Sequence, residues 1–162
     1  MGRRMKRLLM LAAFGAVQCC AWAAAPEVVL IGHFSNMVQS RSEEPHFVSG
    51  YNVDLYAKKH RAFGTIAVAI GSEDPAVADL KNVVFDEATK QLSFDAAYSD
   101  GRDYSKGTGP DGRESRKVLH FAGSVAVKRV AGVVTIRDPD CGGCKPVMKK
   151  VVLKRSEDTY VP

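Results

Sequence analysis

Apolar and polar residues alternate with a period of two along Gln91-Leu92-Ser93-Phe94-Asp95-Ala96-Ala97-Tyr98, which places Leu92, Phe94, Ala96 and Tyr98 on one face. Successive side chains point to opposite sides only in an extended strand, so this pattern commits the segment to a half-buried strand. The period recurs at Phe47, Tyr51, Val53 and Leu55, opposite Asn52 and Asp54. It recurs again at Leu119, Phe121, Val125 and Val127, and at Val130, Val134 and Ile136. No stretch of ten or more residues holds a helical period. The chain is therefore read as all-β.

Eight strands are expected, at 27–36, 46–57, 62–71, 79–86, 90–98, 117–128, 130–137 and 146–155. Short connections such as Lys58-Lys59-His60-Arg61 and Asp86-Glu87-Ala88-Thr89 force consecutive strands to be antiparallel neighbours. A meander of this size removes its exposed edges by closing on itself, which predicts an eight-stranded antiparallel up-and-down barrel. A two-sheet β-sandwich is the alternative, because alternation is the same in both. Gly32, Gly50, Gly64, Gly123 and Gly132 fall inside strand patterns, where glycine marks the bends and bulges that a small barrel needs. Phe34, Tyr51, Val53, Leu92, Phe94 and Phe121 are expected to line the interior. An interior of this size is filled by its own side chains or holds one small apolar ligand, and Ala67, Ala69 and Ala96 leave room for either.

The first 23 residues carry a different signal. Arg3, Arg4, Lys6 and Arg7 precede the apolar run Leu8–Val17, and Ala21-Trp22-Ala23 supplies the small-x-small site of a signal peptidase. Residues 1–23 are thus read as a cleavable signal helix, with 24–162 as one β-barrel domain in the periplasm or outside the cell. The apolar run falls short of the ~20 residues that a membrane span requires, so no transmembrane segment is expected in the mature chain. Removing the segment takes away four of 23 basic residues and none of the 18 acidic ones. The formal net charge drops from +5 to +1, and nothing argues for nucleic-acid binding. The four cysteines fall to two, Cys141 and Cys144.

Cys141-Gly142-Gly143-Cys144 follows Asp138-Pro139-Asp140 in a turn-rich stretch. A redox pair of this spacing belongs at the start of a helix, where the helix end lowers a thiol pKa. A zinc site needs four ligands, and this motif supplies two. A loop disulfide suits an exported protein, with the glycines giving the backbone freedom to bring the sulfurs together. No cofactor or metal is read from the sequence. His33, His46, His60 and His120 are scattered singly; His120 is expected on the outer face and His60 in a charged turn, and no nucleophile motif accompanies them. The basic run Lys149–Arg155 is read as an outer strand face decorated with lysine against aggregation.

The longest connection is 99–116, in which Asp100-Gly101-Arg102-Asp103 and Asp111-Gly112-Arg113-Glu114 look like two related turns. Loops of this length in small domains are often functional, and Tyr104 is the expected contact residue. The strand containing Gly32-His33-Phe34 resembles the first strand of the lipocalin-like (calycin) barrels, which carry a glycine two residues before an aromatic, usually tryptophan. The resemblance implies a barrel and little about activity. The expectation is a non-enzymatic exported binding protein holding a small apolar ligand. The alternative is a protein-interaction module that meets its partner through loops 99–116 and 138–146.

Overall fold

The computed structural model describes residues 27–40, 47–72, 74–104 and 109–157; the expected signal segment 1–23 and His46 lie outside these. Among the described residues twelve strands run in chain order: β1 (Val28–Ser35), β2 (Val38–Gln39), β3 (Val48–Lys58), β4 (Arg61–Ser72), β5 (Ala76–Asp79), β6 (Lys81–Phe85), β7 (Gln91–Tyr98), β8 (Arg102–Asp103), β9 (Arg113–Glu114), β10 (Lys117–Ala126), β11 (Arg129–Arg137) and β12 (Val147–Ser156). The described residues contain no helix, and so none long and apolar enough to cross a membrane.

One antiparallel sheet takes the order β5-β4-β3-β1-β12-β11-β10-β7-β6, with β2 added beside β3 and β8–β9 forming a separate ribbon. The two ends of that order, β5 and β6, are consecutive in the chain and separated only by Leu80. The first pairs with β4 (Ile66 opposite Ala78) and the second with β7 (Phe85 opposite Leu92). The sheet is thereby nearly closed into a barrel, and the Leu80 amide, donating to the Gly64 carbonyl (2.9 Å), carries the β4–β5 ladder one residue further. The expected strand 79–86 is found from Lys81 to Phe85, preceded by β5, and the two are divided at Leu80, where the pairing passes from β4 to β7. A bulge between Lys81 and Val84 inserts one residue, and Asn82 takes a left-handed φ of 51°. Ala76, Ala78 and Leu80 face the core before the bulge, Val83 and Phe85 after it. The extra residue re-phases the strand by one, which keeps both halves apolar inward.

Alternation decides the interior. Phe34, Tyr51, Val53, Leu92, Phe94 and Phe121 are all buried in one contiguous core, with Leu55, Ile66, Leu119, Val130, Val134 and Leu153. The Phe94 and Phe121 rings stack with centroids 5.0 Å apart. Burying a ring of this size contributes about 2–3 kcal/mol. The Phe121 ring covers the cross-strand pair Gly123–Gly132, where a Cβ on either glycine would stand 2.7 Å from the ring. Here glycine serves close approach instead of a bend. Arg155 lies over the Phe34 ring (5.5 Å to the centroid) and donates to the Ile31 carbonyl, tying the end of β12 to β1.

Three readings of single side chains are corrected. Phe47 is exposed just ahead of β3, and Val127 is 81% exposed because it sits in the two-residue hairpin between β10 and β11. Ala67 and Ala69 are buried, but they stand outside the core cluster that contains Ala96, on the opposite face from Ile66 and Val68.

Candidate functional site

The long connections 98–117 and 137–147 leave the same end of the barrel, because β7, β10, β11 and β12 are successive neighbours. The two related turns in the first connection pair with each other: Arg102 stands opposite Glu114 and Asp103 opposite Arg113, making the β8–β9 ribbon. Its base is fastened by the Ser115 amide donating to Gly101 O (2.8 Å), the Asp100 amide donating to Ser115 Oγ (3.0 Å), and the Ser115 hydroxyl donating to the Asp100 carboxylate. Higher up, Arg102 Nη1 donates to Asp111 O (2.7 Å). Tyr104 is 68% exposed, and its ring lies against Gly112, where a Cβ would stand 2.8 Å from it. Gly112 also holds φ at +64°, so both space and backbone demand glycine there.

The second connection is a compact turn. Asp138 accepts from the Asp140 amide (2.9 Å), the Cys141 amide donates to Asp138 O, and Cys144 folds back onto Cys141 O. Cys141 and Cys144 stand at disulfide distance with Cα atoms 5.5 Å apart. No helix follows them, so the feature that would activate a redox thiol is not present among the described residues.

Two ion pairs join the loops to each other: Lys117 Nζ to Asp138 Oδ2 at 2.6 Å and Arg116 Nη2 to Asp140 Oδ1 at 3.2 Å. The Lys117 bond is the main cause that holds the Asp138 carboxyl below its usual range, and the same bond raises Lys117. Between the loops lies a cleft of about 560 Å³ in which Asp100, Asp103, Asp138 and Asp140 face Arg102, Arg113 and Lys117. The wall is charged with both signs and fixed in place by its own pairs.

The six expected lining residues thus come together in the core, while Tyr104 and the disulfide stand at the barrel end. A second constellation was not foreseen. On the outer face, His120 Nδ1 meets Asp95 Oδ1 at 2.8 Å, and Asn82 Nδ2 donates to Asp95 Oδ2 at 2.8 Å. These bonds, that of Asn82 first, lower the Asp95 pKa. The group sits in a cleft of about 500 Å³ on the barrel wall. A parallel group lies near the start of the chain: His33 Nδ1 meets Asp54 Oδ1 at 2.8 Å, Asn52 Nδ2 donates to the same oxygen at 3.4 Å, and the His33 ring packs edge-on to Tyr56. The outward parity of Asp95 and His120 was readable. Their adjacency was not, because the register of β7 against β10 is set across an 18-residue connection. Among the described residues no group of three or more His, Cys, Asp or Glu side chains is placed to hold a metal.

No protein-family model matches this chain, and no curated protein or solved structure matches it either.

Proposed function

We propose that this chain is an exported, non-enzymatic binding module that engages a protein partner through the platform made by loops 99–116 and 138–146. One observation carries the reading: the two loops are locked to each other by Lys117–Asp138 and Arg116–Asp140, so the charged cleft between them is already assembled. A pre-formed surface avoids the ordering cost that a flexible loop pays on binding. Tyr104, amphipathic and exposed on the same connection, has the character of an interface anchor. The expected partner is a protein surface of mixed charge with a pocket for the tyrosine. Export and the Cys141–Cys144 pair belong to the same reading, since disulfides persist in oxidising compartments.

The calycin-like reading, with a small apolar ligand in the lumen, has the Gly32–Phe34 placement in its favour. Against it, the interior side chains pack onto one another, with Phe94 and Phe121 stacked in the middle. Native mass spectrometry of the protein from its own host, combined with a photo-reactive residue at position 104, separates the two. The platform reading expects a cross-linked protein at position 104 and none from the same label at Val84 on the barrel wall. It also expects that reversing Asp100 and Asp140 to lysine together weakens the purified pair at least tenfold. A small-molecule mass retained by the intact protein, with no cross-link at 104, overturns it in favour of the lumen.

A further inference from the structure

The wall cleft around His120 is built differently from the platform cleft, although both are lined by charged groups. Its backbone rows come from four adjacent strands, in which Lys81, Asp95, His120 and Thr135 stand opposite one another in sequence from β6 to β11. The next row supplies Ala97, Val118 and Arg137, the last continuing β11 beside the pair Ala97–Val118. All of these residues line the cleft. The lining is therefore part polar and part apolar, the latter from Ala97 and Val118.

The polar groups are unevenly committed. Both oxygens of Asp95 accept a hydrogen bond, one from His120 and one from Asn82, which holds the carboxylate in place. An ionised carboxylate only accepts hydrogen bonds, so the His120 Nδ1 must carry the proton and donate it. That fixes the ring and leaves Nε2 as its remaining polar atom. Neither Lys81 nor Arg137 has an ion pair among the described residues. By contrast, Arg113, Arg116 and Lys117 on the platform each have a carboxylate partner. The cleft thus offers two cations, Lys81 and Arg137, with a hydroxyl and an oriented imidazole, against the single carboxylate of Asp95. Asn82 reaches Asp95 from the bulge in β6, whose left-handed turn at φ 51° aims its amide across to β7.

We propose that this cleft is a binding site for a small ligand bearing an oxyanion, a phosphate or a carboxylate, joined to a compact apolar group. Lys81 and Arg137 neutralise the oxyanion, and Arg137 presents the planar fork that matches it. Thr135 donates its hydroxyl to the oxyanion, the His120 ring stands beside it in the lining, and Ala97 and Val118 receive the apolar part. Asp95 and Asn82 are positioning residues, acting through the His120 ring. The site is independent of the loop platform, and failure of either leaves the other standing.

Titration of the full mature protein with phenyl phosphate, benzoate, inorganic phosphate and phenol, followed by NMR, tests the assignment. The His120 ring signals and the Ala97 and Val118 methyls are expected to move saturably with phenyl phosphate or benzoate, and not with phenol. A phenyl phosphate affinity tenfold above that of benzoate identifies a phosphoryl ligand; equal or reversed affinities identify a carboxylate. Arg137→Ala and Lys81→Ala, on different strands, should each weaken binding roughly tenfold, the loss of one charge-assisted hydrogen bond. The Phe94 and Phe121 ring shifts report in each variant that the barrel is intact. Absence of saturable change at His120 with either organic anion, undiminished binding by both variants, or equal binding of phenol overturns the proposal.

Discussion

The two Asn–Asp–His groups on the outside of the barrel use the same atoms in different surroundings. In each, an aspartate Oδ1 meets a histidine Nδ1 at 2.8 Å across neighbouring strands, and an asparagine amide supports the carboxylate. The side chains of His33 and Asp54 are only 12% and 14% exposed, with Tyr56 against the ring and Asn52 buried beside them. Those of His120 and Asp95 are 54% and 36% exposed and border an open cleft. Burial makes the first pair obligatory, since a polar group shut away from water must keep its partner. Exposure makes the second dispensable for folding, and Asn82, whose left-handed backbone belongs to the bulge in β6, supports its carboxylate from the side.

Removing the acid from each pair breaks the comparison most directly. Asp54→Ala leaves His33 and Asn52 nearly buried without their acceptor and should cost about 1–3 kcal/mol of unfolding free energy, read from the urea midpoint. Asp95→Ala should cost about 0.5 kcal/mol or less, as exposed pairs do. Equal losses would mean that burial does not separate the two groups.

Proton titrations sharpen the same contrast between covered and open groups. Tyr98, buried at the platform end, has its hydroxyl pushed up to about 12, first by desolvation and then by Tyr51 and Asp100. The folded state holds this proton longer than the unfolded chain, so stability should fall as pH rises above 10 towards 12. Tyr98→Phe should flatten that limb of the stability profile. The open Asp95 moves the other way. Its contribution is present above the ordinary carboxylate value of 3.8 and lost only as pH falls through its lowered pKa. Carboxyl carbon NMR should find Asp95 ionised below 3.8, and Asn82→Ala should bring it back towards that value, the smallest effect of this series.

Parity made most of the fold legible. A period of two needs no knowledge of neighbours, and it placed Phe34, Tyr51, Val53, Leu92, Phe94 and Phe121 inside and His120 outside. What depends on pairing was hidden. The ribbon β8–β9 forms because two Asp-Gly-Arg turns face each other, and no local pattern announces that. The 79–86 segment lacks a clean alternation because its apolar set changes sides at Asn82, a shift that only the pairing with β7 explains. The Asp95–His120 contact lies across that same unseen register. Function is harder to read still, since both clefts are assembled from residues that look like ordinary surface polarity one strand at a time.

Asn82 does two jobs with one backbone conformation: it re-phases the stave that closes the barrel and carries the amide that holds Asp95. Lineages descended from this protein are therefore free to exchange side chains here but not to change length. Losing one residue would restore an unbroken strand only by turning Ala76, Ala78 and Leu80, or Val83 and Phe85, out into water. Any drift of the cleft chemistry must proceed by substitution within a fixed spacing, and the barrel's closure keeps the evolutionary count.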